Sequence, residues 1–175
     1  MEQKCIFCAI ASKQIPASTI YEDEKVLAFL DINPLTEGHT LVIPKYHAEN
    51  IFDISEKDLK HISTVAQGIA NKMKEVLYAE GVDLFQASGQ AADQQVPHFH
   101  LHIIPRKTGD QLGLHEWWTN RMQRSEPKKL NELAERLKTD SIGKVTEPVR
   151  KVRKPKEKKK SKDDVFWIKR AVQLT

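Results

Sequence analysis

Residues 97–106 read PHFHLHIIPR, with histidines at every second position: His98, His100 and His102. A period of two belongs to a β-strand, in which alternate side chains share a face. The three imidazoles are therefore expected to point one way, and Phe99, Leu101 and Ile103 the other. The apolar set reads as the core face, and the histidines line whatever lies opposite. Same-face neighbours on a strand sit roughly 7 Å apart, which suits groups acting on different atoms of one ligand. A three-histidine metal site and a merely polar sheet face are the other two readings.

The segments before this strand are well punctuated. Strands are expected at Ser18–Tyr21 and Val26–Asp31, then a turn through NPLTEGH, then a buried strand HTLVIP halted by Pro44. Ser55 is placed to cap a helix, with Asp58 at the capping-box position. Leu59, Ile62, Val65, Ile69, Met73 and Val76 then recur every three or four residues, an amphipathic helical pattern for which Gly81 is the expected C-cap. VDLFQA reads as a strand, SGQAADQQVP as a polar loop, and HFHLHIIP as the closing strand. Together these predict an α+β fold, an antiparallel sheet with one long helix, followed by an irregular, partly helical C-terminal extension. A short helix is expected from Pro127 to Lys138 on Leu130, Leu133 and Leu137. The expected division is a domain at residues 1–110, an extension at 111–143, a linker at 144–162 and an apolar segment at 163–175.

Composition bounds the function. The 175 residues suffice for one domain with a real core plus an appendage. No run of eighteen apolar residues occurs, so no membrane helix is expected. The start MEQKCIFCAI has neither the basic beginning nor the long apolar stretch of a secretory signal, which makes a cytoplasmic location the expectation. The net charge of +4 hides an asymmetry. RKVRKPKEKKKSK, residues 150–162, carries nine basic residues and one acidic one, a local +8, so the remainder carries 4 − 8 = −4. That run lacks apolar periodicity and reads as a solvated linker, with weak contact to nucleic acid or an anionic surface as the sharper alternative. The end, DDVFWIKRAVQLT, carries an apolar cluster able to dock back on the body. The two cysteines, Cys5 and Cys8, are spaced C-x-x-C, which in a reducing compartment reads as metal-binding or redox rather than as a structural disulfide.

The string H-F-H-L-H-I-I resembles the signature of the histidine triad (HIT) superfamily, His-φ-His-φ-His-φ-φ with φ apolar. The resemblance extends upstream through CIFCAIASKQIPAS, VLAFLDINPLTEGHTLVIPKYHAEN and the long helix, whose order and spacing resemble the Hint-like branch. It covers about residues 4–106. It implies a nucleotide hydrolase that cleaves at the α-phosphate of nucleoside phosphoramidates or dinucleoside polyphosphates and releases a nucleoside monophosphate, with no catalytic divalent metal. His100 would be the nucleophile and form a covalent nucleotidyl-histidine. An imidazole is largely neutral near pH 7 and leaves well when protonated, provided its Nδ1–H finds an acceptor that frees the Nε2 lone pair. His102 and His39 would surround the phosphate oxygens. Asp31 would accept from ribose hydroxyls, with Ile10, Phe29, Leu30 and Ile32 flanking a purine base; a plain turn with Asn33 and Pro34 is the competing reading of Asp31.

The resemblance also implies a structural zinc held by Cys5, Cys8, His47 and His98, and a homodimer. Two departures stand out. Many members carry Asn eleven residues before the first triad histidine, where this chain has Ala87. Gln95 replaces a hydroxyl that helps protonate a departing amine, which puts phosphoramidate specificity in question. Gln94 and Gln95 are expected either near the phosphate or bridging atom or, equally, as loop-filling residues with no catalytic part; Asp93 brings an unexplained negative charge, and Trp117 and Trp118 are candidates to cap the pocket or to be buried at an interface. Binding without catalysis, and 5′-deadenylation of nucleic acid gripped by residues 150–162, are the rival functions.

Overall fold

The computed structural model describes residues 5–139, without the side chains of Leu114, His115 and Trp118. The basic run at 150–162 and the apolar end at 163–175 lie outside the described residues. A short helix α1 (Ile6–Ala11) precedes strands β1 (Thr19–Glu22), β2 (Val26–Leu30) and β3 (Thr40–Pro44). Helix α2 (Glu56–Val76), strands β4 (Gly81–Phe85) and β5 (Leu101–Arg106), and helices α3 (Leu114–Thr119) and α4 (Pro127–Leu137) follow. All strand pairs are antiparallel, in the order β1-β2-β3-β5-β4. No helix among the described residues is long and apolar enough to cross a membrane.

Alternation along the strands divides the apolar residues between two faces. Val26, Ala28, Val42, Phe99 and Ile103 pack with Ile62, Val65, Ile69 and Met73 of α2. Leu27, Phe29, Leu41 and Ile43 point the other way and are covered by Phe7 of α1. Helix α2 starts where expected, because the Ser55 hydroxyl oxygen accepts the Asp58 N–H at 3.1 Å. Its end differs. The helix stops at Val76, and Tyr78 takes the left-handed conformation at φ 54°, while Gly81 opens β4 opposite Arg106. Ala79 is buried and its N–H returns to the Met73 carbonyl, so packing ends the helix ahead of the glycine.

Three further differences matter for the site. The sequence suggested no helix at the N-terminus, yet α1 forms and places Cys5 at its start and Cys8 within it. The histidine strand begins at Leu101 rather than His98, because its pairing with β3 ends at Val42 opposite Leu101 and its pairing with β4 ends at Phe85 opposite His102. His98–His100 are held instead by a bond from the Phe99 N–H to the Ala48 carbonyl at 2.6 Å. The loop expected at SGQAADQQVP contains a 3-10 turn at Gln90–Ala92, flanked by Gly89 at φ 86°. Helix α4 spans the expected segment, but Leu130, Leu133 and Leu137 are exposed.

Candidate active site and metal-ligand cluster

The face opposite α2 carries the chemistry. Phe99 sits in the α2 core, while His98 and His100 meet Phe7 on the other side of the chain, with ring centroids 5.9 and 5.3 Å away. The alternation read from the sequence therefore holds beyond the formal strand. His100 and His102 have ring centroids 4.9 Å apart, closer than their backbone spacing suggests. The three imidazoles nevertheless have three different surroundings.

His98 is fully buried and belongs to a cluster. Its Nδ1 lies 3.3 Å from Cys5 Sγ and 3.5 Å from Cys8 Sγ, and His47 Nδ1 lies 3.4 Å from Cys8 Sγ. The donor atoms of Cys5, Cys8, His47 and His98 all lie within 4.8 Å of one another. Tetrahedral zinc with ordinary bond lengths separates sulfur from nitrogen by about 3.6 Å, so these spacings fit such an ion. The tautomer fits as well. His98 Nε2–H donates to the Pro44 carbonyl at 2.9 Å, which leaves the Nδ1 lone pair facing the sulfurs. Burial, reinforced by the neighbouring His47 and His100, lowers His98 to about 4 and keeps it neutral. Burial and the adjacent Cys5 push the Cys8 thiol up to about 11. Two bare thiolates are thus unfavourable here, and a divalent cation supplies the charge that reverses this.

His100 is 4% exposed, and its Nδ1–H donates to the His98 carbonyl at 2.7 Å. That is the backbone acceptor expected for a nucleophilic imidazole. Burial lowers its pKa, against the bond to His98 and the field of Asp31, so the neutral ring with a lone pair on Nε2 is favoured.

His102 belongs to a relay. The Leu35 N–H donates to His39 Nδ1 at 3.2 Å, which makes that nitrogen an acceptor. A neutral His39 then carries its proton on Nε2 and donates it to His102 Nδ1 at 2.9 Å. His102 is left as an Nε2–H donor. Burial, with His100 and His39 nearby, lowers it to about 4, and the donor is uncharged. Both His39 nitrogens thus have partners inside the protein, the Leu35 amide and His102, where a direct contact with phosphate oxygens was expected. The same partners count against the grouping of Asp31, His39 and His102 as a second ion site.

Asp31 does two things. Oδ1 accepts the Asn33 N–H at 2.8 Å and closes the turn, while Oδ2 lies 3.8 Å from His39 Nδ1. Its charge opposes the lowering of His39, His100 and His102. Phe29 is buried against Phe7, whereas Leu30 and Ile32 are exposed beside Asp31.

The loop before the triad departs from expectation. Gln94, expected at the nucleotide, uses its amide inside the protein: Oε1 accepts the Gly89 N–H, and Nε2 donates to the Glu49 and Val96 carbonyls. Gln95 is exposed, and its amide donates to the Asp93 carbonyl rather than to a triad histidine. Ala87 is buried. Trp117 is exposed, with the Arg121 guanidinium 4.6 Å from its ring centre. The Trp118 side chain lies outside the described set. Two concavities of about 260 Å³ lie away from the triad, one beside α1 and β1 and one around Asp23 and His61.

Sequence reasoning missed Phe7, the ring shared by two triad histidines, and the Leu35 amide that sets the His39 tautomer. Phe7 carries a faint signal as the aromatic one of the two apolar residues inside C-x-x-C; the amide carries none.

A relative from Borreliella burgdorferi, an uncharacterized HIT-like protein, is 46% identical over 112 residues, covering 62% of this chain and 80% of its own. The adenosine 5′-monophosphoramidase HNT1 of Saccharomyces cerevisiae is 37% identical over 118 residues, covering 67% of this chain and 72% of its own. Among solved structures, a Zn-bound histidine triad family protein from Mycobacterium smegmatis superposes with a TM-score of 0.61 at 38% identity, over 76% of this chain and 97% of that one. Residues 12–109 match the HIT domain, and the chain belongs to the HIT family.

Proposed function

We propose that this protein is a nucleotide hydrolase acting at the α-phosphate of nucleoside phosphoramidates or dinucleoside polyphosphates. The observation that carries the proposal is the pinned tautomer of His100: Nδ1–H is held by the His98 carbonyl, and Nε2 is free to attack. His100 Nε2 forms a bond to the α-phosphorus while the bond from phosphorus to the leaving nitrogen or oxygen breaks, and the leaving group takes up a proton from solvent, to which the attacking water returns one in the second step. Water then attacks the nucleotidyl-histidine, the phosphorus–nitrogen bond breaks, and the nucleoside monophosphate departs with His100 restored. His102 donates Nε2–H to a phosphate oxygen on which charge develops. Asp31 Oδ2 accepts from the ribose, and Ile32 and Leu30 line the base. Gln95, exposed on the neighbouring loop, is the remaining candidate to hydrogen-bond the leaving group, which takes its proton from solvent. The named phosphoramidase among the relatives supports the substrate class.

Cys5, Cys8, His47 and His98 would hold zinc. With four protein ligands the ion has no open position and is structural, joining α1, the loop after β3 and the triad segment. A homodimer is part of the proposal. Strand β4 is an edge of the sheet and exposes Leu84 and Phe85, an apolar edge that a second copy would cover.

The test is turnover of an adenosine phosphoramidate by wild type and by His100→Ala, with metal content and circular dichroism measured on both. Wild type is expected to release AMP and carry one zinc per chain. The variant is expected to keep fold and zinc and to lose turnover. Retained turnover in the variant, or wild type that binds AMP without turning over substrate, refutes the catalytic reading.

A further inference from the structure

Gln94 lies outside both the triad and the metal-ligand cluster, yet its side chain joins the segments that carry them. Oε1 accepts the Gly89 N–H at 2.6 Å, and Nε2 donates to the Val96 carbonyl at 2.9 Å and to the Glu49 carbonyl at 2.7 Å. The Gln94 N–H in turn donates to the Gly89 carbonyl, so the 89–94 loop closes on itself. Other bonds link the same segments. The Ile51 N–H donates to Ser88 Oγ at 2.9 Å, the Phe99 N–H to the Ala48 carbonyl, and His98 Nε2–H to the Pro44 carbonyl.

Residues 44–51 carry His47, which is exposed; residues 88–99 lead through His98 into His100. Of these links, those through Pro44 and Ala48 end on backbone or on a ligand histidine. The links through Gln94 and Ser88 are the ones a substitution removes without touching a ligand. The chemistry of the amide also argues against a phosphate contact. Phosphate oxygens need donors, both Nε2 protons already point at carbonyls, and Oε1 donates nothing.

We infer that Gln94 is a positioning residue that ties the loop before the triad to the segment bearing His47, holding the metal cluster and the nucleophile in one register. The inference rests on the assignment of zinc ligands and nucleophile made above, so its primary readout needs neither metal nor turnover.

The experiment is backbone hydrogen exchange of the full chain, read over residues 45–51 in wild type, Gln94→Ala and Gln94→Glu, with and without added zinc. Both variants are expected to raise exchange there about tenfold, as befits one lost anchoring bond. The glutamate keeps an acceptor for Gly89 but turns a carboxylate toward two carbonyls, and is expected to be no better than alanine. On zinc-loaded protein, metal transfer to a chelator is expected to accelerate about threefold, less than the roughly tenfold or more for a group bonded directly to a ligand. With substrate, kcat is expected to fall while KM stays within about twofold. If Gln94→Ala does not fold, Gln94→Asn, one methylene shorter, carries the same measurements. Unchanged exchange over 45–51 overturns the inference, and a raised KM with unchanged exchange and kcat restores Gln94 as a substrate ligand. A wild type without zinc or turnover would defeat the functional proposal, while the exchange result would still decide the role of Gln94.

Discussion

Phe7 is 7% exposed and touches three rings edge-on: Phe29 at 5.8 Å, His98 at 5.9 Å and His100 at 5.3 Å between centroids. It caps the apolar face opposite α2 and lies between His98, the proposed metal ligand, and His100, the proposed nucleophile. Truncation to alanine removes about 150 Å² of buried ring. At about 25 cal/mol per Å² this is about 4 kcal/mol, within the range of about 3–5 kcal/mol for a buried Phe→Ala change. Against a domain stability of about 5–15 kcal/mol the loss is large. Phe7→Leu refills most of the volume and is expected to cost about 1.5 kcal/mol, the forfeited edge-on contacts included. The assay is urea unfolding of wild type and both variants, each with zinc and with excess chelator. Phe7 and the proposed zinc would hold the same helix, so their effects are expected to be coupled by at least about 0.5 kcal/mol. A cost below about 1 kcal/mol for Phe7→Ala, or strict additivity with zinc removal, would refute the claim that this ring docks α1 onto the histidines.

Other perturbations separate structural from chemical roles. Burial raises the Asp23 carboxyl, but bonds from His61, the Lys25 and Val26 amides and Tyr21 outweigh it and hold the group well below the usual carboxylate range. Its folded pKa is depressed, so the stabilisation is present above the unfolded carboxylate value of about 4 and is lost as pH falls below it. Asp23→Asn is therefore expected to cost about 1–2 kcal/mol at pH 7 and progressively less below pH ~4, read from urea midpoints; a pH-independent cost contradicts this account. His39→Phe keeps a ring but removes the donor to His102 Nδ1. It is expected to lower kcat about tenfold, one hydrogen bond's worth, with KM little changed in steady-state assays. Gly38 sits at φ +87°, and an added Cβ would run into the Leu77 side chain. Gly38→Ala combines backbone strain with overpacking beside His39. It is expected to lower stability by about 2–4 kcal/mol in thermal or urea melts, whereas less than 1 would show that the turn can relax.

What the chain states locally was legible from residues alone. The period-two histidines share a face because neighbours two apart on an extended chain must. Helix α2 begins at Ser55 because its cap lies three residues from the amide it satisfies. The family's ligand set named Cys5, Cys8, His47 and His98, and the fold brings them together. The roles within the site were not legible in the same way. Cys5 and His98 are 93 residues apart, and the sequence alone does not state that Phe7 stands beside them. For Gln94 the residues left a phosphate contact and a loop-filling role equally open, and its amide protons go to the carbonyls of Glu49, 45 residues away, and Val96. The residues around His39 did not state its tautomer, which the Leu35 amide and His102 set. The helix expected to run to Gly81 stopped at Val76 because a buried Ala79 had to turn back toward Met73. Periodicity and capping act over a few residues, and the sequence alone determined the elements built on them. Proton positions, shared rings and loop anchorage depend on atoms brought together from distant parts of the chain, and those only the tertiary structure decided.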